Sequence, residues 1–355
     1  MKRFLIVLAA ITLIPSIAST AVTTDKAEEP TATPTQTSAI VDLSQFSASD
    51  NTGLGAVAAT VVSSPGDKGR AEVALSRALS RARAFAMEIP GLEEKLNSLA
   101  KGERIELTPE TFDFVFKAKQ LSSQTHGWYD LTAPSPKGSF MKKDWRRVKL
   151  DSSSRTVWLR SEGMTFDLSR LATGYAADLM MGELAESGFA NAMVEMGTVQ
   201  SNKGRDIFTP WNVTIGFGEG TASANAGAYR AYRYNVKDVA AATVTPQGLG
   251  NGLIDAHNKK PVKPDGVRSV TVFAHDATTA TAFAIAAYTL GPKHGLRYIE
   301  SHPEMMCVIV DGGGELFASK NMNITNTPER SAVRQGSKGG PDDLKQKKRE
   351  ESLGQ

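Results

Sequence analysis

The stretch 165–197, TFDLSRLATGYAADLMMGELAESGFANAMVEMG, constrains the fold more than any other part of the chain. It reads as a strand end, a tight turn, an amphipathic helix, a glycine stop and a second strand. Ala176, Leu179, Met180 and Leu184 recur at helical spacing, which predicts a helix over about 175–187. Gly188 stands where a left-handed C-cap belongs, and a buried strand is expected over 192–197. Asp167 and Ser169 can supply side-chain oxygens at the turn. Gly174, lacking a Cβ, lets the backbone at 173–174 approach a neighbour closely. The first amides of a helix have no partners within it, so a helix start after such a turn is a natural anion site. An ordinary strand–turn–helix crossover has the same pattern, and only the rest of the chain separates the two.

On its N-terminal side, an apolar β-branched run predicts a strand over 55–63, closed by turn residues 65–67. A helix is expected over 71–88, with Val73, Leu75, Ala78, Leu79, Ala82 and Phe85 on one face and arginines on the other. Helical pattern resumes over 92–99. A short strand at 105–107 leads to a helix with Thr108 as N-cap and Pro109 at its first position, carrying Phe112, Val115, Phe116, Ala118 and Leu121. Residues 125–132 form an irregular polar-aromatic turn, and 145–151 with 156–160 a hairpin. On the C-terminal side strands are expected at 211–215, 231–236, 267–274, 305–310 and 316–319. Helices are expected at 278–290 and 296–301. Strands and helices alternate irregularly, with hairpins, which indicates an α+β fold and not a doubly wound sheet.

The ends of the chain have a different composition. Residues 1–21 carry Lys2 and Arg3, an apolar core over 4–14 and small residues beyond it, the pattern of a secretory signal peptide. That apolar core is too short to span a bilayer, and no other stretch is long enough, so no stable membrane insertion is expected. Residues 22–50 are expected to be a flexible linker, 51–325 the folded domain and 326–355 a disordered charged tail. The expected location is outside the cytoplasm, in the periplasm. With 355 residues, a net charge of +3 and no basic stripe interleaved with aromatics, nucleic acid is excluded as the main partner. The single cysteine, Cys307, sits in an apolar run and is expected to be a core thiol, which leaves no internal disulfide or thiolate cluster.

Five loci bring small or polar residues to element ends: Asn97, 128–132, 167–178, 252–255 and 276–285. Each has a structural reading. Asn97 can be a helix-surface residue, Asp130 a cap, Trp128 and Tyr129 core, and Asp178 a helix-face residue. Their order and spacing, however, resemble one family, the ApbE-type FAD:protein FMN transferases. The resemblance covers about 71–319. It rests on Leu96-Asn97, on T-x-G-x-[FY]-D-x-T at 125–132, on D-L-x5-G-Y-A-x-D at 167–178, on Ile254-Asp255, and on A-T-T-A at 277–280. It implies an ApbE-like (T-fold-like) architecture of mixed sheets with helices packed on them. It also implies an enzyme that binds FAD with Mg²⁺, transfers FMN to a threonine hydroxyl of a partner protein and releases AMP. The implied partner is an exported flavin-acceptor protein. By the same resemblance, Asn97, Trp128, Tyr129, Asp130, Asp167, Thr173, Gly174, Asp178, Leu253 and Asp255 match flavin-nucleotide positions. The carbonyls of Arg170 and Ala284, with the side chains at Thr281 and Ile285, match the metal positions.

The departures fall at the chemistry. The family's metal helix reads D-A-x-x-T, and here those two side chains are Thr281 and Ile285. Mg²⁺ is normally held by at least one carboxylate together with phosphate oxygens; Thr281 is neutral and Ile285 has no oxygen. The histidine of the family's H-I-I-D-P is Gly252, with His257 five residues further on. The family's T-S-G is Thr243-Val244-Thr245, and its G-G-D is Gly197-Thr198-Val199. Phosphoryl transfer relies on the metal to neutralise developing charge, so transfer is expected to be reduced or lost. Three readings compete. One is an active transferase with a carboxylate relocated from Asp276, Asp255 or Glu195. The second is a non-catalytic flavin or nucleotide binder that holds phosphate at the helix starts near Gly174 and Thr278. The third is a partner-binding module with its pocket closed.

Overall fold

The structure, a computed structural model, describes residues 42–132, 144–161, 164–217, 230–249, 253–258, 260–262 and 266–322. The proposed signal peptide, most of the linker, the charged tail and Gly252 lie outside the described residues. In chain order come β1 (Ser44–Thr52), β2 (Gly55–Ser63), α1 (Lys68–Ser98), β3 (Arg104–Glu106), α2 (Pro109–Gln124), β4 (Val148–Asp151) and β5 (Thr156–Leu159). There follow α3 (Ser169–Glu186), β6 (Ala192–Met196), β7 (Val199–Lys203), β8 (Trp211–Phe217), β9 (Arg230–Val236), β10 (Ala240–Val244), β11 (Val267–Ala274), α4 (Ala277–Glu300), β12 (Met306–Asp311) and β13 (Leu316–Ala318).

Eight strands form the main sheet in the order β1-β2-β6-β7-β10-β11-β12-β13. Every neighbouring pair in it is antiparallel. Both faces of its middle are covered, which explains the near-continuous apolar runs there. On β10, Ala240, Ala242 and Val244 face the helical layer while Ala241 faces the other way. On β11, Val270, Val272 and Ala274 do the same against Phe273. The helical layer is α1, α3 and α4. The opposite face carries the β8–β9 hairpin, whose Trp211, Val213, Ile215, Tyr234 and Val236 pack on Val62, Ala241, Phe273 and Val308. A small sheet, β3-β5-β4, stands apart from the main one. Among the described residues no helix is long and apolar enough to cross a membrane.

Several boundaries differ from expectation. The end of the expected linker is a strand: β1 begins at Ser44 and pairs along its length with β2. Its alternating burial was masked by serine and aspartate. Helix α1 runs through Pro90 without a break, because Phe85, Ile89, Leu92 and Leu96 continue one buried face across it. Val73 and Phe116, expected on buried faces, are exposed. Strands β7 and β10 were not anticipated. The two helical stretches at 277–300 are joined at Gly291, whose φ of 76° suits glycine, followed by Pro292. Cys307 is fully buried, and burial pushes its thiol far above the ordinary range.

The largest difference lies in the opening stretch. Helix α3 starts at Ser169, six residues before the expected start at 175. Leu171, Ala172, Ala176, Ala177 and Met180 form its buried face from the first turn. Gly174 therefore lies inside a helix and not in a turn. Its bare Cα is pressed against α4: a Cβ there would lie 2.6 Å from Thr281 Oγ1 and 2.7 Å from the Ala277 carbonyl oxygen. The close approach that glycine permits is helix to helix.

Candidate functional site

The α3 start, the cleft-facing side of α4, the β6–β7 turn and the segment after β10 enclose a cleft of about 680 Å³. Asp167, Ser169, Arg170 and Thr173 line it from α3 and its approach, and Thr281 and Ile285 from α4. Gly197, Thr198 and Val199 line it from the β6–β7 turn, and Thr243, Val244, Thr245, Gly248 and Leu249 from β10 and the residues after it. Glu93 reaches in from α1. Residues more than 180 positions apart in sequence thus share one wall, which brings Gly197, Thr198, Val199, Thr243, Val244, Thr245, Thr281 and Ile285 together.

The two helix starts expected to hold an anion are already occupied. At α3, one oxygen of Glu93 accepts from the Leu168 amide at 2.6 Å and the Ser169 amide at 2.9 Å. Burial raises the Glu93 carboxyl above its usual range; the two amide bonds oppose that, and nearby Asp167 adds to it. At α4 all four first amides are satisfied from within the chain. Ala277 and Thr278 donate to Asp178 at 2.7 and 2.9 Å, Thr279 donates to Asp276 at 2.6 Å, and Ala280 donates to the Asp276 carbonyl at 3.0 Å. The Thr278 hydroxyl also donates to Asp178. Burial, and then the neighbouring Asp276, pushes Asp178 up to about 6. For Asp276, burial is outweighed by the Thr279 amide and Lys117, which hold the carboxyl below its usual range. Phosphate can reach neither start without displacing a carboxylate, so the expectation of free anion sites near Gly174 and Thr278 is corrected.

The metal positions can be tested residue by residue. Thr281 donates its hydroxyl to the Ala277 carbonyl at 2.7 Å, a bond back into its own helix. Ile285 and Ala284 are buried and apolar. Arg170 lies in the first turn of α3, where the helical ladder directs its carbonyl towards the amide four residues on. Its guanidinium donates through Nε to Asp167 at 2.5 Å and through an Nη to the Leu249 carbonyl at 3.2 Å. None of the three relocated carboxylates lines the cleft. Asp276 caps α4 and pairs with Lys117 at 3.1 Å, Asp255 folds its own loop through the amides of His257 and Asn258, and Glu195 on β6 accepts from Gln200. Among the described residues no cluster of three or more His, Cys, Asp or Glu side chains could hold a metal. The side chains at these positions do not fit Mg²⁺.

The remaining candidates do not line the cleft. Asn97 accepts from the Phe166 amide at 2.7 Å and so fixes the approach to α3. Tyr129 is buried, and burial together with Asp167 and Asp130 raises its phenol well above the usual range. Asp130 accepts from the amide and hydroxyl of Thr132, both at 2.8 Å, and closes a local turn. Leu253 is core. Trp128 carries the His257 ring on its face, 4.0 Å between centroids at 27°. That histidine is stationed 3.6 Å from Asp255 and does not line the cleft. Glu93 was missed in the sequence, since a glutamate near the end of an amphipathic helix looks like a solvated charge.

The ApbE family matches this sequence over residues 91–309, well over half of its length. The chain belongs to the ApbE family. Solved ApbE structures have the same fold. The flavin transferase ApbE from Vibrio cholerae superposes with a TM-score of 0.62 at 19% identity, covering 79% of this chain and 98% of its own. The Pseudomonas stutzeri flavinyl transferase ApbE gives 0.63 at 18%, covering 79% and 95%. The ApbE protein of Thermotoga maritima gives 0.61 at 20%, covering 78% and 97%. At such identities the likeness establishes the fold, and the α+β architecture expected from the sequence is the one present. No curated protein is similar enough in sequence to match. ApbE-family enzymes act on FAD and on flavin-acceptor proteins.

Proposed function

We propose that this chain is an exported ApbE-family protein that takes FAD in the cleft beside the α3 start, and in which Mg²⁺-dependent transfer of FMN is weak or absent. One observation carries the reading. Of the positions that resemblance assigns to the metal, Arg170, Thr281 and Ile285 line one cleft, with a hydroxyl already bonded to its own helix at Thr281 and a hydrocarbon at Ile285. Without a divalent cation the charge that develops on a phosphoryl group in transit meets only the Arg170 guanidinium, which Asp167 already engages. The missing family histidine, at Gly252, removes a second group. Loss of such side chains is compatible with an intact fold: a His-to-Gly mutant of the Vibrio cholerae enzyme superposes on this chain with a TM-score of 0.60. FAD binding is supported by membership of the family and by a cleft of about 680 Å³, within the usual range of small-molecule sites.

The test is to incubate the mature protein with FAD, Mg²⁺ and a threonine-bearing acceptor, and to follow AMP release and covalent flavin. Neither should rise above the no-enzyme control. Stoichiometric FMN transfer would overturn the reading. Restoring T281D, I285T and G252H together should raise transfer at least tenfold if these positions are what was lost. A titration with FAD separates the competing partner-binding reading, which calls for no flavin affinity at all. Export rests on residues 1–21 and is checked by the mass of the mature N-terminus in a periplasmic extract.

A further inference from the structure

We propose that Glu93 determines specificity in this cleft: its fixed carboxylate disfavours the phosphate-bearing forms of a flavin relative to riboflavin. The inference rests on the reading of the cleft as a flavin site. Three observations lead to it. First, Glu93 occupies the two amides that a phosphate would otherwise use, with one oxygen at 2.6 and 2.9 Å from Leu168 N and Ser169 N. A neutral amide oxygen could still accept both bonds, though more weakly than a carboxylate, so E93Q keeps the acceptor while removing the charge. Second, the described lining carries three ionisable side chains, Glu93, Asp167 and Arg170, and so is net negative by one. The guanidinium, the one cation among the described lining residues, is engaged by Asp167 at 2.5 Å and by the Leu249 carbonyl at 3.2 Å. Third, the metal positions do not fit a divalent cation that could reverse that sign. Charge acts over roughly 10 Å at ordinary salt, so Glu93 bears on the part of the cleft it lines. A phosphate placed beside Glu93 therefore meets a carboxylate, with the lining guanidinium already engaged, while the uncharged isoalloxazine and ribityl chain of riboflavin carry no charge to repel.

The test uses the mature chain in EDTA, titrated with riboflavin, FMN and FAD by flavin fluorescence, for wild type, E93Q and E94Q. Glu94 is an exposed neighbour on the same helix, and its substitution makes the same change in overall charge. E93Q should tighten FMN and FAD at least fivefold and riboflavin less than twofold, with E94Q changing none of them. Added NaCl should tighten FMN on the wild type and leave riboflavin unchanged, a measurement that does not depend on any variant folding. The proposal is overturned if E93Q alters riboflavin and FMN alike, if E94Q matches E93Q, or if salt weakens FMN. It also falls if Mg²⁺ tightens FMN on the wild type and E93Q abolishes that gain, because Glu93 would then be a metal ligand. Flavin binding by none of the three proteins would remove the flavin reading of the cleft itself, a result distinct from binding without discrimination.

Discussion

The starts of α3 and α4 are built from the same parts and serve different ends. Each presents amides that its own helix cannot satisfy, and each receives a carboxylate from a distant element: Glu93 from α1 onto α3, Asp178 from α3 onto α4. At α4 the closure is complete. Two carboxylates and one carbonyl satisfy four amides, and Lys117 balances the outer carboxylate. At α3 a single side chain does the work, and it also forms part of the cleft wall. The first is a sealed joint between helices. The second is a joint with one side open to a ligand. A substitution at the sealed joint should therefore cost stability, and one at the open joint should change what binds.

The contrast can be broken in several places. The largest effect is expected at Gly174, which lies where the two helices touch. G174V puts atoms within 3 Å of the Ala277 backbone, which cannot rotate away, and should cost about 3 kcal/mol or more in urea denaturation. A loss under 1 kcal/mol would mean that the helices are not locked together there. D178A strips the acceptor from two buried amides and should cost about 2–3 kcal/mol, with FMN affinity changed less than twofold. E93A should cost only about 1 kcal/mol, the usual value for a lost helix cap, while shifting the ranking of flavins. Equal stability costs for D178A and E93A would remove the distinction between the two joints. The smallest effect concerns pH. Asp178 holds its proton more tightly folded than unfolded, so its contribution to stability is full below about pH 4 and is lost as the pH rises through about 6. Asp276, depressed in the fold, contributes in the opposite sense, above the ordinary carboxylate range, and loses its share only as the pH falls further. D178N should abolish the decline between pH 4 and 6 in a series of thermal melts. A slope that persists in D178N would place it on other groups.

The sequence made the helices and most strands of this fold readable because their burial is periodic. Leu75, Ala78, Ala82 and Phe85 repeat at helical spacing, and Val270, Val272 and Ala274 alternate along a strand. Failures came where composition contradicted periodicity. The serines of β1 looked like a linker, and Gly174 looked like a turn although Leu171, Ala172 and Ala176 already marked the helix around it. β10 was lost because AAATV suits a helix as well as a strand. At the site, Asp167, Arg170, Thr281 and Ile285 could be picked out by their resemblance to family positions, and they do meet in one cleft. Glu93 could not. Its partners, Leu168 and Ser169, lie 75 and 76 residues away, and no local pattern records that distance. The same holds for Asp178, whose acceptor role toward α4 spans 99 and 100 residues.

Sheet order also sets a timetable. β2 pairs not with its successor in the chain but with β6, joining Val57 to Met196 and Val61 to Ala192. α1, α2 and the whole of α3 must be made before that seam can close, and closing so long a loop is slow. α1 lies against both β1 and α3, so it can hold the first hairpin in place while the rest of the chain arrives. The cleft, whose walls run from Leu54 to Ile285, comes into being only after the seam has closed. Flavin binding followed during refolding would thus report that the seam has closed.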